Sequence, residues 1–297
     1  MTSVPAADNA LVEFRPRTAF FVGIDSDGCA FDAMEIKHKE CFTPNTIKHW
    51  NLQAVSTMAR ETAEFVNLYS TSRGLNRWIA LVKVFELLAA RPEVAARGVT
   101  VPTGEAIKRF IASGFPLFDQ GIRDYAAEHP DPELDRAIAW TAGVNASIED
   151  MVKGVPPFPY VRESLQAMQG RVDLMVVSAT PVEALEREWA EHGLAQYMNV
   201  IAGQEQGTKA EHLRDAAKGK YPDDHILLIG DAPGDRDAAT SQGVLYYPIN
   251  PGHEAPSWRR FHDEALGRFL DGTFAGDYQA ALIAEFEALL PAEPPWA

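Results

Sequence analysis

Two carboxylates one residue apart, Asp25 and Asp27, end the apolar run Phe20-Phe21-Val22-Gly23-Ile24, and Gly28 follows them. In extended backbone, residues i and i+2 point the same way, so both acids can face one pocket. Like charges that close repel unless a cation or a proton lies between them. The pair therefore calls for a divalent metal, or for divided labour with one ionised carboxylate beside one acid. A calcium loop counted from Asp25 needs glycine at its sixth position and glutamate at its twelfth. Ala30 and Ile36 stand there, which excludes that reading.

Four more residues extend the set. Ser178 ends the apolar run Val172 to Val177, and Lys209 lies in Thr208-Lys209-Ala210-Glu211. Asp231 and Asp235 follow the run His225 to Ile229 in Gly230-Asp231-Ala232-Pro233-Gly234-Asp235, with Asp237 as a competitor to Asp235. Each stands just beyond a predicted strand or in the first turn of a predicted helix. In a parallel sheet the strands' C-terminal ends share one edge, where ligands bind. Together they offer acids for a cation, a hydroxyl donor and one ammonium group, a set suited to holding an anion. A lysine at a helix start opposes the helix dipole, which argues for a functional role.

The elements that must position these residues alternate. Strands are predicted over 19–25, 172–177, near Val200 and Ile201, over 225–229 and over 244–247. Helices are predicted over 160–169, from Thr180 to Gly193, from Thr208, and from about Asp235. Thr180-Pro181-Val182-Glu183 and Thr208-Lys209-Ala210-Glu211 both read as capping boxes, the first with proline at the first helical position. This alternation predicts an α/β, Rossmann-like core: a parallel sheet with helices on both faces. Between 34 and 154 the periodicity is helical only. Trp78, Leu81, Val82, Phe85 and Leu88 form one stripe. Phe65, Val66 and Tyr69 suggest another, as do Ile107, Phe110 and Ile111, while Leu134, Ile138 and Ile148 fit a long helix ending near Gly154. The block reads as an all-α domain, 34–154, inserted into a core of 15–33 and 155–297, with Pro156, Pro157 and Pro159 marking the return. Residues 256–290 read as two amphipathic helices that pack on the sheet or form a dimer face.

The 297 residues carry a formal net charge of −15, with 27 basic against 42 acidic residues. Binding to a nucleic-acid backbone rests on clustered Lys and Arg, so nucleic acid is not expected as a partner. An anionic substrate needs a local cation. Cys29 and Cys41 make no disulfide framework, and Cys29 reads as a small buried residue. The N-terminus lacks a basic start followed by an apolar core, and no apolar run approaches the roughly 20 residues of a membrane span. A cytoplasmic protein without a membrane partner is expected, as monomer or homodimer.

The motif order resembles that of the haloacid dehalogenase superfamily, whose members are mostly aspartate-nucleophile phosphohydrolases. Phe21-Val22-Gly23-Ile24-Asp25-Ser26-Asp27-Gly28 resembles the first motif, Val176-Val177-Ser178-Ala179-Thr180 the second, Lys209 after Gly207-Thr208 the third, and Gly230-Asp231 with Asp235 the fourth. The helical block resembles the family's cap domain, inserted between motifs one and two. Core and cap together span about 19–248. The resemblance implies a Mg²⁺-dependent phosphohydrolase acting on a small phosphorylated metabolite. Asp25 is then the nucleophile and Asp27 the acid–base residue. Asp25, the carbonyl of Asp27 and Asp231 are implied as the metal set, with Asp235 as a further ligand or as a support for the others. Lys209, Ser178 and backbone N–H groups near Ser26 and Ala179 are implied to hold the phosphoryl oxygens.

The rival chemistries of the same superfamily separate on residues. Dehalogenases lack the metal-site acids and the second aspartate, all present here. Phosphonate hydrolases typically carry alanine where Asp27 stands and use a cap lysine, for which Lys37, Lys39, Lys48 and Lys83 are available. A phosphosugar mutase shares the core and stays an alternative. A binding scaffold that has lost its chemistry is the non-enzymatic alternative, but the nucleophile, the lysine and the metal acids are all kept. Substrate choice is expected from the cap, where Arg73 and Arg77 in Ser70-Thr71-Ser72-Arg73-Gly74-Leu75-Asn76-Arg77 are candidate anion clamps. Lys37 and His38 are weaker candidates.

Overall fold

A computed structural model describes residues 10–296 of the chain. These divide into two compact units, one formed by the chain up to Ala33 with Gly154–Leu289, the other by Met34–Lys153 with the C-terminal residues from Leu290.

The first unit is built on five parallel strands: β1 (Phe20–Ile24), β2 (Val172–Val177), β3 (Val200–Ala202), β4 (Ile226–Gly230) and β5 (Leu245–Pro248), in the order β3-β2-β1-β4-β5. The register sets Ile24 beside Val176 and Ile229. Strands β2 and β4 are buried along their whole length, as apolar runs covered on both faces must be. Helices α1 (Val161–Met168), α2 (Val182–Glu191), α3 (Lys209–Ala216), α4 (Pro233–Gln242) and α5 (Asp277–Ala288) belong to the same unit. Because strand side chains alternate faces, Phe21, Met175, Val177 and Leu228 share one core with Leu213 and Ala216 of α3 and Ala238 and Ala239 of α4. On β5, the Tyr247 ring meets Phe261 at 5.1 Å. The chain leaves β1, returns through β2 and β3 on one side, then crosses to β4 and β5 on the other. The strand order therefore reverses beside β1, and a ligand crevice is expected at the strands' C-terminal ends there.

The second unit is helical, and no strand occurs in it among the described residues. Its longer helices are Thr43–His49, Ser56–Asn67, Arg77–Ala89, Glu105–Ala112, Asp119–Glu128 and Pro132–Met151. The stripe read from Trp78 to Leu88 is buried against Phe110, Leu134 and Trp140. Trp78 meets Trp140 edge to face at 5.6 Å, and the Trp140 indole N–H donates to Thr46 Oγ1 at 3.0 Å.

The tail differs from the sequence expectation that the core runs to residue 297. The last described residues count with the helical unit because Trp296 packs there. Its ring lies 5.5 Å from that of Phe65, and the buried Arg91 guanidinium stands over it at 4.4 Å. The Thr71 N–H donates to the Pro291 carbonyl at 3.2 Å. No helix among the described residues is long and apolar enough to cross a membrane.

Candidate active site

Strands β1 and β4 lie side by side, and the Asp25 N–H donates to the Ile229 carbonyl at 3.0 Å. Asp25 is the first residue past β1 and Asp231 the first past β4, so pairing of the two strands brings both acids to one edge. Asp235 joins them from the first turn of α4, where its Oδ2 accepts the Ala232 N–H at 3.0 Å. This placement explains the glycine of the fourth motif. A Cβ on Gly230 would stand 2.4 Å from the Asp235 carboxyl carbon, so any side chain there would expel the acid. Asp237 stays outside the cluster. It is exposed and pairs with Arg236 at 2.7 Å.

Lys209 is the first residue of α3, after the reciprocal cap in which Thr208 and Glu211 satisfy each other's backbone N–H groups. From there its Nζ reaches Asp25 Oδ2 at 2.9 Å and Asp235 Oδ1 at 2.5 Å. The two carboxylates offset the unfavourable helix-dipole position. Burial draws the ammonium down, but Asp235 and Asp25 together hold it well above lysine's ordinary value, so it is charged at neutral pH. Burial pushes the Asp25 carboxyl up, opposed by Lys209 and reinforced by the charges of Asp235 and Asp231.

Asp25, Asp231 and Asp235 are all buried, and each offers an oxygen within 4.8 Å of the others. Three carboxylates face one ammonium, an excess of negative charge that a divalent cation would balance. An all-oxygen donor set suits a hard ion of the Mg²⁺ type. The residues present therefore fit the metal that the motifs imply.

The loop after β1 folds back on itself. The Ser26 carbonyl accepts the N–H groups of Cys29, Ala30 and Phe31, at 3.3, 2.9 and 3.0 Å. The Ser26 side chain is buried under α2, accepting from Trp189 Nε1 and donating to Glu188 Oε2, both at 2.9 Å. Cys29 is fully buried. Past β2, Ser178 is buried with its N–H donated to the Ala202 carbonyl at 3.1 Å, and its Oγ accepts the Thr180 N–H at 3.2 Å. Ala179 is exposed beside it.

Thr180 corrects a sequence expectation. Its hydroxyl does not cap a helix. The helix begins at Val182 after Pro181, with no side-chain cap from Thr180, and the Val182 N–H is taken by Glu205 Oε2 at 3.0 Å. The Thr180 hydroxyl donates instead to Asp27 Oδ2 at 2.9 Å. The sequence pattern marks Thr180 as a helix cap and not as a site residue. A partner 153 positions away overrode a local pattern, and no local signal announced it.

The two arginines lie in the helical unit. Arg73 is buried, with Nη1 on the Leu68 carbonyl at 3.0 Å. Arg77 Nη1 is held by Thr141 Oγ1 at 2.6 Å and Asn145 Oδ1 at 2.9 Å, with Asp119 at 3.7 Å and the Phe42 ring beneath the guanidinium at 5.2 Å. His38 stacks on the same Phe42 ring at 4.8 Å, next in sequence to Lys37.

Below Lys209 on α3, His212 is fully buried with Nε2 3.1 Å from the Gly203 carbonyl. Burial, joined by the Lys209 charge, lowers its pKa to about 4. The unfolded value is about 6.5. Between these values the unfolded chain binds the extra proton, so stability falls as pH drops from about 6.5 to 4, by up to about 3 kcal/mol. Urea unfolding at the two ends of that window checks this. His212→Gln is expected to flatten the pH dependence; an unchanged slope contradicts the assignment.

No protein-family model matches the chain, and no curated protein matches it in sequence. Solved structures do match. A β-phosphoglucomutase from Clostridium difficile superposes with a TM-score of 0.50 at 13% identity, over 86% of this chain and 98% of that one. A haloacid dehalogenase-like family hydrolase from Streptococcus pneumoniae gives a TM-score of 0.46 at 14% identity, over 82% and 91%. Sheet order, the inserted helical unit and the first of these likenesses agree: the chain has the fold of the haloacid dehalogenase superfamily.

Proposed function

We propose that the protein is a Mg²⁺-dependent phosphohydrolase acting on a small phosphorylated metabolite through an aspartyl-phosphate. The observation that carries this reading is the buried Asp25–Lys209–Asp235 arrangement with Asp231 beside it, at the C-terminal edge of the sheet. A carboxylate oxygen of Asp25 attacks phosphorus, the ester P–O bond breaks, and the leaving oxygen takes a proton from Asp27. The Asp27 carboxylate then takes a proton from water. The water oxygen attacks the phosphorus, the Asp25–phosphorus bond breaks, and phosphate leaves with both acids restored. Lys209 and the Ser178 hydroxyl stabilise the transferring oxygens, helped by backbone N–H groups near Ser26 and Ala179. Mg²⁺ held by Asp25, the Asp27 carbonyl, Asp231 and Asp235 would supply positive charge to the phosphoryl group.

The helical unit takes the part of the family's cap and sets substrate choice. Arg73 and Arg77 are its candidate anion contacts. Arg77 already serves Thr141, Asn145 and Asp119, so binding an anion would mean giving up some of those partners. Cys29 and Cys41 are free buried thiols, which fits a reducing cytoplasm.

Phosphate release from a panel of phosphorylated metabolites, with Mg²⁺ and with EDTA, tests the reading. Release that EDTA stops is expected. Silence across the panel on folded protein transfers the weight to a phosphosugar mutase, a phosphonate substrate or a binding role.

A further inference from the structure

We infer that Thr180 is a positioning residue: its hydroxyl fixes the rotamer of Asp27 so that Oδ1 is the oxygen that carries the proton to the leaving group. The inference rests on the phosphohydrolase reading above.

The Thr180 hydroxyl donates to Asp27 Oδ2 at 2.9 Å. An oxygen whose lone pair accepts a neighbour's hydrogen bond is the less favourable seat for the carboxyl's own proton, which favours Oδ1. A hydroxyl can do this only if its backbone is held still, and the Thr180 backbone is clamped from several directions. Its N–H donates to Ser178 Oγ at 3.2 Å and its carbonyl accepts the Gln204 N–H at 3.1 Å. Two residues on, the Val182 N–H is taken by Glu205 Oε2 at 3.0 Å. Gly203 permits the approach of the two loops. A Cβ there would stand 2.5 Å from the Thr180 carbonyl oxygen and 2.8 Å from the Val182 nitrogen. The 203–206 loop is itself fixed, because the Gly203 N–H reaches Gln206 Oε1 at 2.8 Å and its carbonyl meets His212. The loop that leads to Lys209 thus holds the loop that carries Ser178 and Thr180, and Thr180 in turn holds Asp27.

The test compares kcat/KM for p-nitrophenyl phosphate, whose leaving group needs no proton, with that for glycerol phosphate, whose alkoxide does. This parameter reads only as far as departure of the leaving group. Thr180→Val is expected to lower the glycerol phosphate value about 10- to 100-fold, and at least about tenfold more than the nitrophenyl value. Thr180→Ser is expected to recover most of it. Gly203→Ala, which displaces the same loop, is expected to give the same leaving-group bias. Equal losses on both substrates, or none, overturn the inference, since a merely structural role has no preference between leaving groups. If the wild-type protein releases phosphate from neither, nor from any member of the metabolite panel, the phosphohydrolase reading fails. A crystal structure of Thr180→Val then decides the positioning separately: a reoriented Asp27 carboxylate upholds it, and an unchanged one refutes it.

Discussion

Asp25→Asn is expected to abolish phosphate release, by a factor on the order of 10⁴ to 10⁶, and to leave a folded protein. The amide keeps the shape of the side chain but cannot form the acyl phosphate. Stability is expected to change little, because two effects oppose each other. The substitution removes a carboxylate whose ionisation burial penalises, and it also removes one of the two partners of Lys209. Asp235 stays in place to hold the ammonium. Phosphate release and thermal unfolding, measured on the same preparation, check both halves. Hydrolysis that survives in Asp25→Asn places the nucleophile elsewhere.

Lys209→Met carries the largest expected effect on stability. It leaves Asp25, Asp231 and Asp235 buried together with no ammonium between them. Removing one partner of a buried pair costs about 3–5 kcal/mol. The folded Asp25 carboxyl lies above its unfolded value, so keeping it ionised costs stability as pH rises. Without the lysine that cost grows. The melting temperature of the variant is therefore expected to fall furthest below wild type at neutral and higher pH, and to approach it as the pH falls toward the carboxylate range. Mg²⁺ is expected to raise the variant's melting temperature more than that of wild type, because the ion replaces missing charge. A variant as stable as wild type in EDTA at neutral pH contradicts the electrostatic account.

The parts of this molecule that were legible in the sequence are those fixed by local patterns. The runs Phe20 to Ile24, Val172 to Val177 and Ile226 to Ile229 are apolar at every position except Gly23 and Asp173, as strands covered on both faces must be. Asp173 departs from that rule because its Oδ2 is occupied by the Arg17 and Thr18 N–H groups and the Tyr221 hydroxyl. The Thr208–Glu211 box placed Lys209 at a helix start because both of its hydrogen bonds close within four residues. The apparent box at Thr180 misled for the converse reason. Its threonine answers to Asp27 and its helix to Glu205, both distant in sequence. The spacing of the fourth motif already favoured Asp235 over Asp237; its physical ground, the Gly230 contact and the Lys209 ion pair, comes together only in the folded sheet. Trp296 lay beyond the last amphipathic stripe in a proline-rich end, and its partners Phe65 and Arg91 are more than 200 positions away. Arg77 reads as a free cation in sequence, yet its Thr141 and Asn145 partners come from another helix.

The central claim, a phosphoryl group carried on Asp25, is tested most directly by trapping it. The protein is quenched in acid while turning over p-nitrophenyl phosphate with Mg²⁺, digested, and its peptides weighed. A phosphoryl adduct is expected on the peptide that carries Asp25, absent when EDTA replaces Mg²⁺ and absent from Asp25→Asn. Turnover that proceeds with the adduct on another residue, or with no adduct under conditions where dephosphorylation is rate-limiting, contradicts it.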